Sequence, residues 1–208
     1  MTRERILQRL PHTTLPPPDL ASTPSTARAS QEAMMESFLA AWEALGGSAQ
    51  VFENATAARL GLLLYLRDLP YRQFLSWNLD AVPLPGLRAA LHDAGIEVSV
   101  PDRRDVDPDI SLGLTAADAG LADTGSLVLT LAGERSWLPA VLPIRHVVVL
   151  PASRLYPDLS AWLTRTPGPA DTGNVLFITG PSESRDIELN PHRGMFGPRY
   201  LHLILYRE

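Results

Sequence analysis

The chain has 208 residues, 45% of them hydrophobic and 20% charged, with a formal net charge of −5, a balance that fits one globular domain and excludes a disordered chain. Acids and arginines are interspersed along the sequence, which excludes the concentrated basic face that nucleic-acid binding requires. There is no Cys, and all 18 basic residues are Arg, so these residues can supply no thiolate for catalysis or metal clusters, no Schiff base and no P-loop.

Residues 1–29 form the first region, a short helix over Arg3–Leu10 followed by a Pro-, Thr- and Ser-rich arm centred on Pro16-Pro17-Pro18. They show no apolar signal-peptide core, and the longest apolar run, Gly61–Leu66, is too short to span a bilayer. The expectation is a soluble cytoplasmic protein with no membrane partner. The second region, residues 30–208, carries regular structure. Ser30 suits an N-cap, and Met34, Phe38, Trp42 and Leu45 make a helical core stripe ended by Gly46-Gly47. A strand over Ala49–Phe52 precedes a helix capped by Asn54 and running through Arg67. Then come a strand over Gln73–Trp77, a helix marked by Leu84, Leu87, Leu91 and Ala94 and closed by Gly95, and a strand over Ile96–Val100.

The second half is richer in strands: Ile110–Leu114, Ser126–Leu131, His146–Leu150, Asn174–Thr179 and Tyr200–Tyr206, with helices around Trp137–Leu142 and Tyr156–Thr164. Apolar runs such as Val147–Leu150 and Val175–Ile178 suit strands buried on both faces. The pattern predicts a three-layer α/β domain with a mainly parallel sheet.

Several motifs fail on context. Asp-Thr-Gly occurs at positions 123–125 and 171–173, too close together for two aspartic-protease lobes. The acidic run Asp105, Asp107, Asp109 lacks the Gly and Glu of a calcium loop, having Ile110 and Ala116 at those positions. No histidine spacing fits zinc, and His202 inside an apolar strand reads as a hydrogen-bonded core residue.

Three segments carry more polar detail than a core needs. One runs from Gly113 through Thr115 to Asp123-Thr124-Gly125-Ser126. The next is Thr179-Gly180-Pro181-Ser182-Glu183-Ser184-Arg185-Asp186-Ile187-Glu188, and the last is Gly194–Arg199. Hydroxyls and glycines beside buried strands suit close approach of an anion, as in crevices beyond the carboxyl ends of α/β strands.

Taken in order, these segments resemble the LUD domain of the lactate utilization protein C (LutC/YkgG) family. The matching pieces are Gly113-Leu114-Thr115, Asp123-Thr124-Gly125-Ser126, Leu138-Pro139, His146, Gly180-Pro181-Ser182, Asp186-Ile187-Glu188, Gly197-Pro198 and Leu201-His202-Leu203. Asp123 stands where the family pattern has Glu, Ser126 and Ser184 where it has Thr, and Phe196 where it has His. The resemblance implies a fold similar to the NagB/RpiA/CoA transferase-like superfamily. It also implies a binding, assembly or regulatory subunit of a cytoplasmic system that oxidises L-lactate to pyruvate, carrying no redox cofactor itself and leaving iron–sulfur clusters to partner proteins. The alternative is an enzyme or sensor acting on a sugar-phosphate or acyl-CoA-like anion, with Asp123 or Glu188 as the catalytic carboxylate. Candidate residues for a small anionic ligand are Thr115, Thr124, Gly125, Ser126, Gly180, Ser182, Ser184, Arg185, Asp186 and Arg199, and no metal ligand is assigned.

Overall fold

The computed structural model describes residues 30–101, 106–133, 135–165 and 173–208. The predicted helix Arg3–Leu10, the Pro-rich arm, Asp105 of the acidic run and Asp171-Thr172 of the second Asp-Thr-Gly lie outside the described residues.

The chain opens with α1 (Gln31–Ala44), β1 (Ser48–Phe52), α2 (Ala55–Arg67) and β2 (Gln73–Ser76). The two helices begin where their caps predict. The Ser30 hydroxyl accepts from Ala33 N and the Asn54 side chain from Ala57 N, each satisfying an amide that the first helical turn leaves free. Next come α3 (Leu87–Asp93), β3 (Glu97–Ser99), β4 (Leu112–Ala116), β5 (Ala119–Leu121) and β6 (Ser126–Leu131). They are followed by α4 (Leu138–Val141), β7 (Arg145–Pro151), β8 (Leu155–Tyr156) and α5 (Leu159–Arg165). The chain ends with β9 (Asn174–Ile178), β10 (Glu183–Arg185), β11 (Pro191–Arg193) and β12 (Tyr200–Tyr206).

Six strands form the central sheet in the order β1-β12-β7-β4-β2-β3, every neighbouring pair parallel. Leu62 and Leu66 of α2 and Leu87 and Leu91 of α3 cover one face, against Phe74, Val147, Val149 and Ile204. Phe38 and Trp42 of α1, with Leu127 and Leu129 of β6, cover the other, against Val148, Leu150, Leu203 and Leu205. Burial on both faces explains why β7 and β12 read as unbroken apolar runs. The class is three-layer α/β with a mainly parallel central sheet, as the sequence predicts. No helix among the described residues is long and apolar enough to cross a membrane.

The differences lie in a second sheet of order β8-β5-β6-β9. The Val175–Ile178 run, expected to be a buried parallel strand, is an edge strand antiparallel to β6 with Phe177 exposed. An apolar run suits either placement, and periodicity alone does not name the neighbour. Phe177 is instead partnered by Trp162 of α5, ring edge to face at 5.9 Å. The short strands β5, β8, β10 and β11 carry two or three residues each, too few to show a pattern. Helix α3 starts at Leu87 rather than Leu84 because Pro85 and the left-handed Gly86 precede it.

Candidate functional site

The antiparallel pairing of β6 with β9 sets Leu127 opposite Ile178, which brings the two flanking motif loops together. Ser126 Oγ donates to Thr124 Oγ1 at 2.8 Å and lies 2.8 Å from Thr179 Oγ1. A serine has one proton to give, so Thr179 is the donor in the second bond. Both loops clasp the C-terminal end of α1. Gly125 has φ +64° and packs so closely that an added Cβ would lie 2.7 Å from Trp42 N. Gly180 lies against Leu45, its added Cβ 3.1 Å from the leucine Cβ.

The layer of loops continues from there. Ser182 N donates to Pro198 O at 2.9 Å, and Gly194 N donates to Ser182 O at 2.9 Å. The amides of Arg199 and Tyr200 both donate to Ile144 O, at 2.8 and 3.1 Å. These residues lead directly into β12 and β7, while α1 leads into β1, so the motif loops gather at the amino ends of the central strands. The crevice beyond the carboxyl ends is a separate groove of ≈ 770 Å³, walled by Leu79, Val82, Pro83, Leu84, Leu87 and Tyr206 among others. None of the predicted site residues lines it. The sequence expectation of a carboxyl-end crevice is thus corrected: Thr179–Ser182 follows a strand of the second sheet, whose end meets the amino side of the first.

The predicted residues divide into groups. Thr124, Gly125, Ser126 and Gly180 meet around α1, and Ser182 joins the loop that carries Arg199. Thr115 stands apart in the core, fully buried on β4, with Oγ1 2.8 Å from His146 Nε2. Ser184 and Arg185 belong to the β10–β11 hairpin, where Arg185 pairs with Glu183 at 3.3 Å. Asp186 organises the hairpin turn, accepting from Glu188 N at 2.8 Å, Asn190 N at 2.9 Å and Asn190 Nδ2 at 3.2 Å. The backbone bond from Asn190, ahead of its side-chain bond, holds this carboxyl below the usual range. Asp123 and Glu188 are both exposed, one in the turn before β6 and the other at the hairpin tip. No hydrogen bond among the described residues joins them.

A polar cluster that sequence reasoning missed sits at the same amino edge, on the α2 face. The Arg145 guanidinium lies 4.5 Å from the Tyr200 ring centre and donates from Nη1 to Tyr65 Oη at 2.9 Å. Tyr65 stacks on His202 with ring centres 3.8 Å apart and planes within 5°. His202 is 4% exposed, and its Nδ1 lies 2.8 Å from Ser48 Oγ. Burial first, then the charge of Arg145, lowers the His202 pKa to about 4. Burial alone takes that of His146 to about 3. The available signal was Arg145 and Tyr200 opening two apolar strands as polar residues, although a strand's first residue is often polar without further meaning.

The LUD domain family model matches residues 88–206. The chain belongs to the LUD-domain family. Residues 30–87 of this LUD protein, outside the matched span, contribute α1, β1, α2 and β2 to the same two cores. It is 30% identical over 142 residues to lactate utilization protein C of Halalkalibacterium halodurans, covering 64% of this chain and 62% of that one. It is 34% identical over 103 residues to lactate utilization protein C of Exiguobacterium sp., covering 47% and 44%. The matches thus span less than two thirds of these relatives' length. Among solved structures it resembles a DUF162 family protein from Deinococcus radiodurans, with a TM-score of 0.61 and 16% identity over 86% of this chain and 99% of that one. That likeness concerns the fold.

Proposed function

We propose that this LUD-domain protein serves lactate utilization as a binding or assembly subunit, recognising a small anion at the amino-edge loop layer. The observation that carries this reading is the convergence of motif loops far apart in sequence, which meet through Ser126, Thr179 and Ser182 beside α1. Relatives named lactate utilization protein C supply the metabolic context. Oxidising lactate to pyruvate moves two electrons, and a chain without Cys offers no thiolate for a cluster. In this reading partner proteins carry iron–sulfur clusters, and the complex works in the cytoplasm. The rival reading, a sugar-phosphate or acyl-CoA enzyme using Asp123 or Glu188, draws less support. Both carboxylates face water on separate loops, whereas an acid–base pair needs a shared, shielded substrate position.

The test is to tag the chain in cells grown on lactate and purify it under native conditions. Co-purification of Cys-rich iron–sulfur proteins, with loss of growth on lactate when the gene is deleted, is the expected result. Normal growth on both lactate enantiomers together with recovery of the chain alone would sink the proposal.

A further inference from the structure

We infer that Arg145, Tyr65, His202 and Arg199 form a binding site for a small carboxylate that bears a hydroxyl beside its carboxyl group. The choice of ligand rests on the functional reading above; the location of the site does not.

The location follows from unmet hydrogen-bonding capacity. Arg145 is half-buried, and a guanidinium has five N–H donors. One donates to Tyr65 Oη, while Nε is buried without a partner. Neither Arg145 nor Arg199 forms an ion pair with a carboxylate among the described residues. By contrast, Arg135 is half-buried too and is matched by Asp118 at 2.9 Å. A charge withdrawn from water without a counterion is costly, and here it is held in place by a tyrosine hydroxyl and a tyrosine face. Arg199, exposed and 5.7 Å from the same Tyr200 ring centre, adds a second positive charge at the surface. The pair suits an incoming anion, for which a guanidinium offers a two-pronged hydrogen bond.

The hydroxyl follows from His202. Ser48 Oγ lies 3.1 Å from Leu201 O and 2.8 Å from His202 Nδ1. Both contacts are satisfied together only if Ser48 gives its proton to the carbonyl and accepts from Nδ1–H. The neutral ring then presents Nε2 as a bare acceptor, and that atom is buried without a partner. Tyr65 touches both residues, its hydroxyl accepting from Arg145 and its ring stacked on His202, so one cluster holds both an unmet donor and an unmet acceptor. A hydroxyl can accept from the first and donate to the second, leaving the neighbouring carboxylate to the remaining guanidinium donors. A plain carboxylate leaves Nε2 unsatisfied, and that difference sets the selectivity.

The experiment titrates the full chain with lactate, propionate and inorganic phosphate by calorimetry, using wild type, Arg145→Gln, Arg199→Gln and Tyr65→Phe. Lactate is expected to bind more tightly than propionate, and Arg145→Gln to weaken it on the order of tenfold or more, the scale of a charge-assisted bond. Arg199→Gln, at an exposed position, should cost a smaller factor without disturbing the fold. It decides the matter with Tyr65→Phe if Arg145→Gln does not fold. Binding of propionate or phosphate that depends on Arg145 and Arg199, with lactate no tighter, keeps the anion site and overturns the hydroxy-acid ligand. If none of the three anions binds, or all bind the folded variants as tightly as wild type, the site itself is overturned.

Discussion

Ser126 and Thr179, 53 positions apart, share a 2.8 Å hydrogen bond that ties together two motif loops at one end of the β6–β9 ladder. The bond belongs to a hydroxyl chain that runs from Thr179 through Ser126 to Thr124. Ser126 is 5% exposed, whereas the two threonines reach solvent and can turn to water when the serine is removed. Ser126→Ala should therefore lower stability by only about 1 kcal/mol, the net value of a typical hydrogen bond. Gly125→Ala is expected to cost more, because φ +64° and the 2.7 Å approach to Trp42 N both oppose a side chain. Urea unfolding of the two variants checks the order; a Gly125→Ala protein as stable as wild type would show that α1 is not clasped there.

Much of this arrangement was legible in the sequence, and the illegible part has a physical cause. Caps at Ser30 and Asn54 fixed two helix starts because each supplies a side-chain acceptor that a helix requires. The apolar runs of β7 and β12 announced a sheet covered on both faces. The same kind of run over Val175–Ile178 misled, since hydrophobicity reports burial and not the direction of the neighbouring strand. The Thr124 and Gly180 loops meet through the antiparallel pairing of β6 with β9, a neighbour relation that strand runs alone do not specify. Arg145 and Tyr65 went unnoticed because their significance is a contact across 80 positions, which no local pattern encodes.

In the Gly113-Leu114-Thr115 motif the glycine has a packing duty. A Cβ on Gly113 would fall 1.9 Å from the backbone oxygen of Pro139, so glycine lets α4 settle directly on β4. Gly113→Ala is expected to destabilise the protein by about 3 kcal/mol or more, since a backbone atom cannot move aside as a flexible side chain can. Thermal unfolding measures this. A shift of less than about 1 kcal/mol would mean that α4 lifts freely from the sheet.

Asp186 supports the hairpin rather than the fold as a whole. Its carboxylate gathers three donors from Glu188 and Asn190, and the turn it closes includes Leu189 at φ +66°. Asp186→Ala should speed amide exchange at Glu188 and Asn190 while leaving global stability nearly unchanged, because the hairpin tip is exposed. The folded pKa is lowered, so the carboxylate's contribution is present above its unfolded pKa and is lost as pH falls through the folded value. Unchanged exchange at both amides would remove Asp186 from its assigned role.

The two buried histidines make the protein acid-sensitive well above the carboxylate range. His146 and His202 have folded pKa values of about 3 and about 4, against an ordinary 6.5. Between those limits the unfolded chain binds protons that the folded chain does not, so stability rises with pH through this window and falls on acidification. Linkage puts the loss at about 2 kcal/mol per histidine on going from pH 7 to pH 5, or about 4 kcal/mol for the pair. His146→Gln separates the contributions: the amide can still meet Thr115 Oγ1, 2.8 Å from the native ring, but it does not titrate. The variant is less stable at pH 7 if the side chain fits imperfectly, yet its stability should fall by only about half as much between pH 7 and pH 5. Urea unfolding at a series of pH values measures both slopes. Equal slopes for wild type and variant would show that His146 accepts a proton without unfolding the core around it.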